Sequence, residues 1–193
     1  NAGQMLAQTE LIFGMLCAAE TNERMQALQE QVMPLLSAHR DKIRLDEKLF
    51  ARVKDVYDRR ASLGLDAEQS RLLRKTYDAF VRSGALLDAG QKARLKEING
   101  ELSLTAVKFG NNILAENNNF ALELTADDLE GLPSGVRDAA REKAQAMGKG
   151  DKWVFTLHKP SLIPFLTYSA KRDLREKIYK AYLTRCNNGD QYD

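Results

Sequence analysis

Imidazoles and thiols are nearly missing from this chain, which carries two histidines and two cysteines among 193 residues. His39 and His158 are far apart in sequence. They cannot form the H-E-x-x-H helix of a zinc peptidase, in which two rings one turn apart meet one ion and a carboxylate between them activates its water. Cys17 and Cys186 have neither CxxC nor metal-ligand spacing, so they read as two unpaired thiols, and no compartment follows from them. A serine or cysteine nucleophile would have to share one of the two histidines, and none sits in a G-x-S-x-G elbow. The glycines of "GNN" at 110–112 and "GKGDK" at 148–152 match neither a Walker loop nor a dinucleotide fingerprint.

A surplus of one charge is missing as well. Lys plus Arg number 29 against 27 Asp plus Glu, a formal net charge of +2. That is far from the basic excess with which a protein neutralises many phosphates, so nucleic acid is not an expected partner. The apolar run "ELIFGMLCAAE" near the start falls well short of the roughly 20 residues a bilayer demands and lacks a basic n-region, so no membrane anchor is expected. Only four prolines are present, and there is no fixed-period repeat, low-complexity tract or long linker. The chain starts "NAGQ" without methionine, so residues 1–2 read as a cloning remnant or as a cut into a longer protein.

What is there is helical periodicity. With 44% hydrophobic and 29% charged residues, the composition is that of a helix-rich globular protein. Leu6, Leu11, Ile12, Met15 and Leu16 recur at helical spacing, and Thr21 is a candidate cap for the helix that follows. That helix aligns Met25, Leu28, Val32, Leu35, His39 and Ile43, with Pro34 as a bend or interruption. His39 therefore reads as a hydrogen-bonded core histidine and His158, next to Lys159 and Pro160, as part of a surface turn.

Asp46 opens a third helix with Leu49, Phe50, Val53, Val56 and Tyr57 on its apolar side, ended by "SLG". Two D-x-x-Q arrangements, Asp66 with Gln69 and Asp88 with Gln91, mark helix starts, because each Asp can accept first-turn amides while its Gln reaches back. The second start opens a long helix to about Glu116, with Leu95, Ile98, Leu102, Phe109 and Ile113 as its expected buried stripe.

After "NNNF" the period drops to two. Phe120, Leu122 and Leu124 alternate with polar or small residues, as do Trp153, Phe155 and Leu157, and the two runs are expected to pair as a ribbon, since a lone strand leaves its backbone unsatisfied. Between them, Asp127 and Asp128 read as first-turn acids after Thr125, and a short helix runs from Ser134 to about Met147. Pro160 starts another helix, Ser169 is the expected cap of the last one, and Leu174, Ile178 and Tyr182 form that helix's apolar face. The expected fold is mainly α, a multi-helix lobe over 1–193 with one long helix and a small β-ribbon.

Several stretches resemble, in order and spacing, the non-catalytic N-terminal part of the thimet oligopeptidase family of zinc metallopeptidases. They are "MPLLSAHRDKIRLDEKLFARVKDVYDRR", "LDAGQKARLKEINGELSLTAVKFGNNILAENNNFALEL", "LEGLP", "KWVFTLHKPSLIPFLTYSAKRDLREKIYKAYLTR" and "NNGDQYD". Within that family, "WVFTL", "PFLTY" and "LREKIYKAYLTR" are most similar to bacterial peptidyl-dipeptidases. The resemblance implies a parent enzyme of two helical lobes around a channel, hydrolysing short peptides, with zinc held by H-E-x-x-H and a further Glu in a downstream catalytic domain of the same chain. It implies a cytoplasmic parent, with the periplasm as the alternative.

No catalytic or zinc residue carries over to this chain, and none of its residues is assigned to metal. Arg172, Arg175 and Arg185 are the candidates for touching a peptide's C-terminal carboxylate, with structural salt bridges as the competing role, and "NNGDQYD" reads as a turn leading onward. The competing readings are an oligopeptidase that cuts short peptides internally and a free-standing helical interaction module.

Overall fold

The computed structural model describes residues 3–193; the start-site reading for residues 1–2 lies outside them. The fold is mainly α, about 72% helical with one two-stranded antiparallel sheet. The chain divides into two compact units, Asn1–Lys108 and Phe109–Asp193. No linker composition marks this boundary, because it falls inside a helix.

The first unit contains α1 (Gln4–Ala19), α2 (Glu23–Arg44), α3 (Glu47–Asp58), α4 (Ala67–Arg82) and the first part of α5 (Ala89–Asn119). Its helix starts are written in short polar side chains. Asp66 Oδ1 accepts from Gln69 N–H at 2.8 Å while Gln69 Oε1 accepts from Asp66 N–H at 3.2 Å. Asp88 and Gln91 repeat both bonds at the same lengths, so each box satisfies amides that a helix start leaves unpaired. The expected cap of α2 moves by one residue. Asn22, not Thr21, accepts from Met25 N–H at 3.0 Å, and the helix runs unbroken through Pro34.

A ladder of rings joins α3 to α4. Tyr57 stacks on Tyr77 with centroids 3.9 Å apart, Phe50 lies 5.8 Å from Tyr77 and 5.9 Å from Phe80, and guanidinium groups cap both ends, Arg60 over Tyr57 and Arg44 over Phe80. Offset rings and cations on ring faces each add about 0.5–1.5 kcal/mol beyond the area they bury.

Two sequence-derived stripes are corrected here. On α2 the buried residue is Leu36, while Leu35, His39 and Ile43 are exposed. The face turned toward α5 is polar, with Asn99 Nδ2 donating to Asp41 Oδ1 at 2.8 Å and Ser37 Oγ donating to the Asn99 carbonyl at 3.4 Å. Periodicity sees only apolar residues, so it selected the neighbouring stripe. On α5 the buried residues are Lys92 and Val107, whereas Leu102 and Phe109 are exposed. Lys92 is buried through its aliphatic stem and keeps its ammonium 3.0 Å from Glu47 Oε1, the compromise long cationic side chains make at a surface.

The second unit contains the end of α5, β1 (Leu122–Leu124), α6 (Ser134–Ala146), β2 (Trp153–Phe155), α7 (Lys159–Tyr168) and α8 (Arg172–Leu183). The expected ribbon forms, with Leu122 opposite Phe155, Glu123 opposite Val154 and Leu124 opposite Trp153. Three residues per strand are too few to stand alone, and here the ribbon is one wall of a core. Leu122, Leu124, Phe155, Leu157, Phe165 and Ile178 are each 2% exposed or less. Phe155 and Phe165 pack with centroids 4.5 Å apart. On α6, Ala140 and Ala144 are buried, and small side chains there let the helix lie close to β2.

The turn before α8 also departs from expectation. Ser169 closes α7, its N–H donating to the Phe165 carbonyl at 3.0 Å, and its Oγ accepts from Lys171 N–H at 3.3 Å, while Lys171 holds the cap position of α8. This turn is pinned to "LEGLP" by Ala170 N–H donating to the Glu130 carbonyl at 2.9 Å. Gly131, at φ +83, sits where a β-carbon would lie 2.3 Å from the Tyr168 carbonyl oxygen. Only glycine fits both the backbone angle and the contact.

Candidate functional site

The strand-to-helix connection between β2 and α7 is a fixed corner. Thr156 N–H donates to Ser161 Oγ at 3.0 Å, and the His158 carbonyl accepts from the amides of Ser161 and Leu162, each at 2.9 Å. Because α7 uses Pro160 at its first turn, the missing N–H costs nothing. His158 occupies the cap position with its imidazole exposed. Beside it lies an open groove of about 390 Å³ whose walls include Val136, Ala140, Lys143, Phe155 and Pro160.

The three candidate arginines have different surroundings. Arg175 donates to the Ser169 carbonyl and so buttresses the α7–α8 turn. Arg185 donates through Nε to the Tyr182 carbonyl at 2.8 Å and through Nη1 to Asn117 Oδ1 at 3.0 Å, and its guanidinium carbon lies 3.9 Å from the centre of the Tyr182 ring. Arg172 is exposed in the first turn of α8, one turn from Glu176. The Glu176 carboxyl is held below its ordinary range by its bond to Lys180 first, with Arg172 a smaller influence.

Sequence reasoning missed how fully the end of the chain is built in. Glu116 on α5 accepts from Cys186 N–H at 2.7 Å and from Asn188 Nδ2 at 2.5 Å, and Asn112 and Asn119 donate to the carbonyl and hydroxyl of Tyr192 at 3.1 and 2.5 Å. The Asp193 carboxylate accepts from the amides of Asn188 and Gly189 at 2.9 and 2.6 Å. "NNGDQYD" is therefore a folded clasp on α5. The signal was the asparagine-rich "NNILAENNN", whose amides have no reason to crowd one helix unless they bond something. Cys186 takes φ +55 within the clasp, and its thiol is pushed up by burial first and by the Glu116 and Asp193 carboxylates next. Both cysteines are free.

The residues present do not fit a zinc ion. His39 lies in the first unit and His158 in the second, and among the described residues no three His, Cys, Asp or Glu side chains gather where an ion could sit. Nor is any helix among them long and apolar enough to cross a membrane.

Comparison with known proteins supplies what the geometry does not. No family model matches the chain. It is 34% identical over 194 residues to the dipeptidyl carboxypeptidase of Escherichia coli, an alignment that takes in 100% of this chain and 28% of that protein. Along its whole length the chain is thus similar to one part of a dipeptidyl carboxypeptidase. It is also 27% identical over 196 residues to oligopeptidase A of the same organism, covering 97% of this chain and 29% of that one. With the thimet-like oligopeptidase of Dictyostelium discoideum it shares 24% over 174 residues, 89% of this chain and 25% of that one. The chain thus spans less than a third of the length of these relatives, and the β2–α7 corner, the "LEGLP" clamp and the α5 clasp all lie within that span.

Proposed function

We propose that this chain is the N-terminal, non-catalytic region of a zinc metallopeptidase that releases dipeptides from the C-terminus of short peptides. The observation that supports the reading is the 34% identity to a dipeptidyl carboxypeptidase along the whole chain, against 27% over a similar span to oligopeptidase A of the same organism; an oligopeptidase A of Haemophilus influenzae reaches 34% over only 62% of the chain. In this reading the zinc ligands and catalytic acid belong to other parts of the parent polypeptide. The region's contribution is a wall: a helical lobe that narrows the channel, holds an unstructured peptide in place and limits water at the reacting bond. Arg172, the candidate arginine not engaged with a main-chain carbonyl, is the first to test for the substrate carboxylate. The parent's partners are short peptides and its own catalytic domain, and its compartment is the cytoplasm.

The test uses the gene product extended to its natural stop. Incubated with N-blocked peptides of several lengths, with and without chelator, it should shorten them by two residues at a time from the C-terminus, as read by mass. Internal cuts would move the parent to the oligopeptidase A type. No cleavage with zinc supplied would overturn the peptidase reading and leave the interaction module, which draws on the exposed apolar residues of the first unit.

A further inference from the structure

The groove beside the β2–α7 corner lies wholly within the second unit, and small residues on α6 open it. Val136, Ala139, Ala140 and Lys143 recur at helical spacing on one face of that helix, and all of them line the groove. With Phe155 and Pro160 they make its walls mostly apolar. At about 390 Å³ it falls at the low end of small-molecule sites, which run from about 300 to 1,000 Å³.

The polar side chains in this lining are Lys143, Thr156, His158 and Ser161, with no acid among them. Thr156 is 5% exposed, and its N–H donates to Ser161 Oγ at 3.0 Å. Its own hydroxyl bonds to nothing among the described residues. Since no fully buried side-chain polar atom of those residues lacks a partner, this hydroxyl is open to the groove that Thr156 lines. Ser161 Oγ is occupied as an acceptor and keeps its proton to donate. Of the cations around the end of α6, Arg141 pairs with Asp151 and Lys149 with Glu123, whereas Lys143 pairs with no described acid. The start of α7, which contributes His158, Pro160 and Ser161, adds the positive end of a helix.

That set of donors selects a ligand. A carboxylate accepts from an ammonium and two hydroxyls at once, and charge-assisted bonds of this kind are the strong ones. A wholly apolar ligand would strip water from the Thr156 hydroxyl and return no bond, which costs affinity. A free amino acid or dipeptide would bring an ammonium that no acid in the lining meets. A doubly charged phosphate would bring more negative charge than the unpaired Lys143 ammonium answers.

We propose that this groove is a binding site for a small monocarboxylate with an apolar body, its carboxylate on Lys143, Thr156 and Ser161 and its body along the Val136 and Ala139 face of α6. Binding there requires neither zinc nor peptide cleavage, so it is independent of the peptidase reading.

The test titrates hydrocinnamate, a carboxylate on a phenyl-bearing chain, into the nitrogen-labelled 193-residue protein and follows the amide resonances of Lys143, Thr156 and Ser161. One saturable site with a Kd of about 1 mM or tighter is expected, and hydrocinnamamide and acetate should each bind about tenfold or more weakly. Equal binding of the neutral amide overturns the proposal, as do shifts spread over the surface without saturation. Hydrocinnamate should also bind the gene product extended to its natural stop. Loss of binding there would make the groove a contact within a longer polypeptide and also overturns it. An N-blocked peptide ending in phenylalanine should bind no more tightly than hydrocinnamate; tighter binding would assign the groove to peptide ends instead.

Variants locate the site. Ala139→Leu, at an exposed helical position that tolerates leucine, should abolish binding by filling the groove without lowering the melting temperature. Thr156→Val should weaken binding about tenfold and leave the melting temperature unchanged or higher, because the hydroxyl has no bond inside the fold to lose. Lys143→Gln, at an exposed position on α6, should weaken it severalfold. Full affinity in Ala139→Leu or in Thr156→Val would place hydrocinnamate elsewhere and overturn the assignment.

Discussion

The two units bury their side chains differently. In the second, ribbon, α6, α7 and α8 surround residues with almost no exposed surface, Phe165 and Ile178 at 0%. In the first, the best-buried apolar side chain, Phe80, keeps 4%, and most of the large exposed apolar side chains of the molecule belong to it. Helices, caps and a ring ladder are all present there, so regular secondary structure alone does not make a core. The difference is one of layers: the second unit has elements on every side of its centre, whereas α1 of the first has α2 on one side and nothing described on the others.

That contrast predicts an order of mutational cost. Phe165→Ala should cost about 3–5 kcal/mol and shift the urea midpoint reported by Trp153, the only tryptophan, which lies in β2. Phe50→Ala should lower the helical circular-dichroism transition by about 3 kcal/mol or less, since its ring is less enclosed, and leave the Trp153 midpoint in place. Coincident shifts in both probes would mean that the units unfold as one and would break the comparison.

Gly131→Ala should come next, at about 2 kcal/mol or more, because it combines positive φ with a collision against main chain; the Trp153 transition again reads it. Asp66→Ala should cost about 1 kcal/mol through its capping box, visible in circular dichroism but not at Trp153.

The smallest effect is a pH dependence. Asp128 is held below the usual carboxylate range by the Thr125 main-chain N–H first and the Thr125 hydroxyl next. Its folded value is thus lower than its unfolded one, so its stabilisation is complete above the ordinary carboxylate range and is lost as pH falls through the depressed value. Asp128→Asn should lower the melting temperature slightly at pH 7 and leave it unchanged near pH 2. An equal gap at both pH values would refute this.

Much of the fold was legible because local chemistry wrote it. Both D-x-x-Q boxes, the alternation of Leu122, Leu124, Trp153 and Phe155, and the Glu176 to Lys180 pair one turn apart are all read within a few residues. The larger failures came where partners lie far off in sequence. The α2 and α5 stripes were misplaced because their contact is made by Asp41, Ser37 and Asn99, which a hydrophobic pattern ignores. Ser169 was assigned to the wrong helix for a local reason: its N–H closes the last turn of α7 on the Phe165 carbonyl, and α8 starts only after Lys171. For the candidate site, the three arginines could be named from composition and position, but the bond of Arg185 to Asn117, 68 residues earlier, belongs to the tertiary fold.

The ribbon also bears on synthesis. Its two strands are joined across α6, and the core they cover is closed by Ile178 on α8, so a chain emerging from a ribosome holds Leu122 and Leu124 without a partner until nearly the whole segment is outside the exit tunnel. The first unit is local helix and can form while translation proceeds; the second must wait for its last helix, and non-local pairing of that kind is slow. Slow codons placed after α8 would favour correct folding more than the same pause placed after α6.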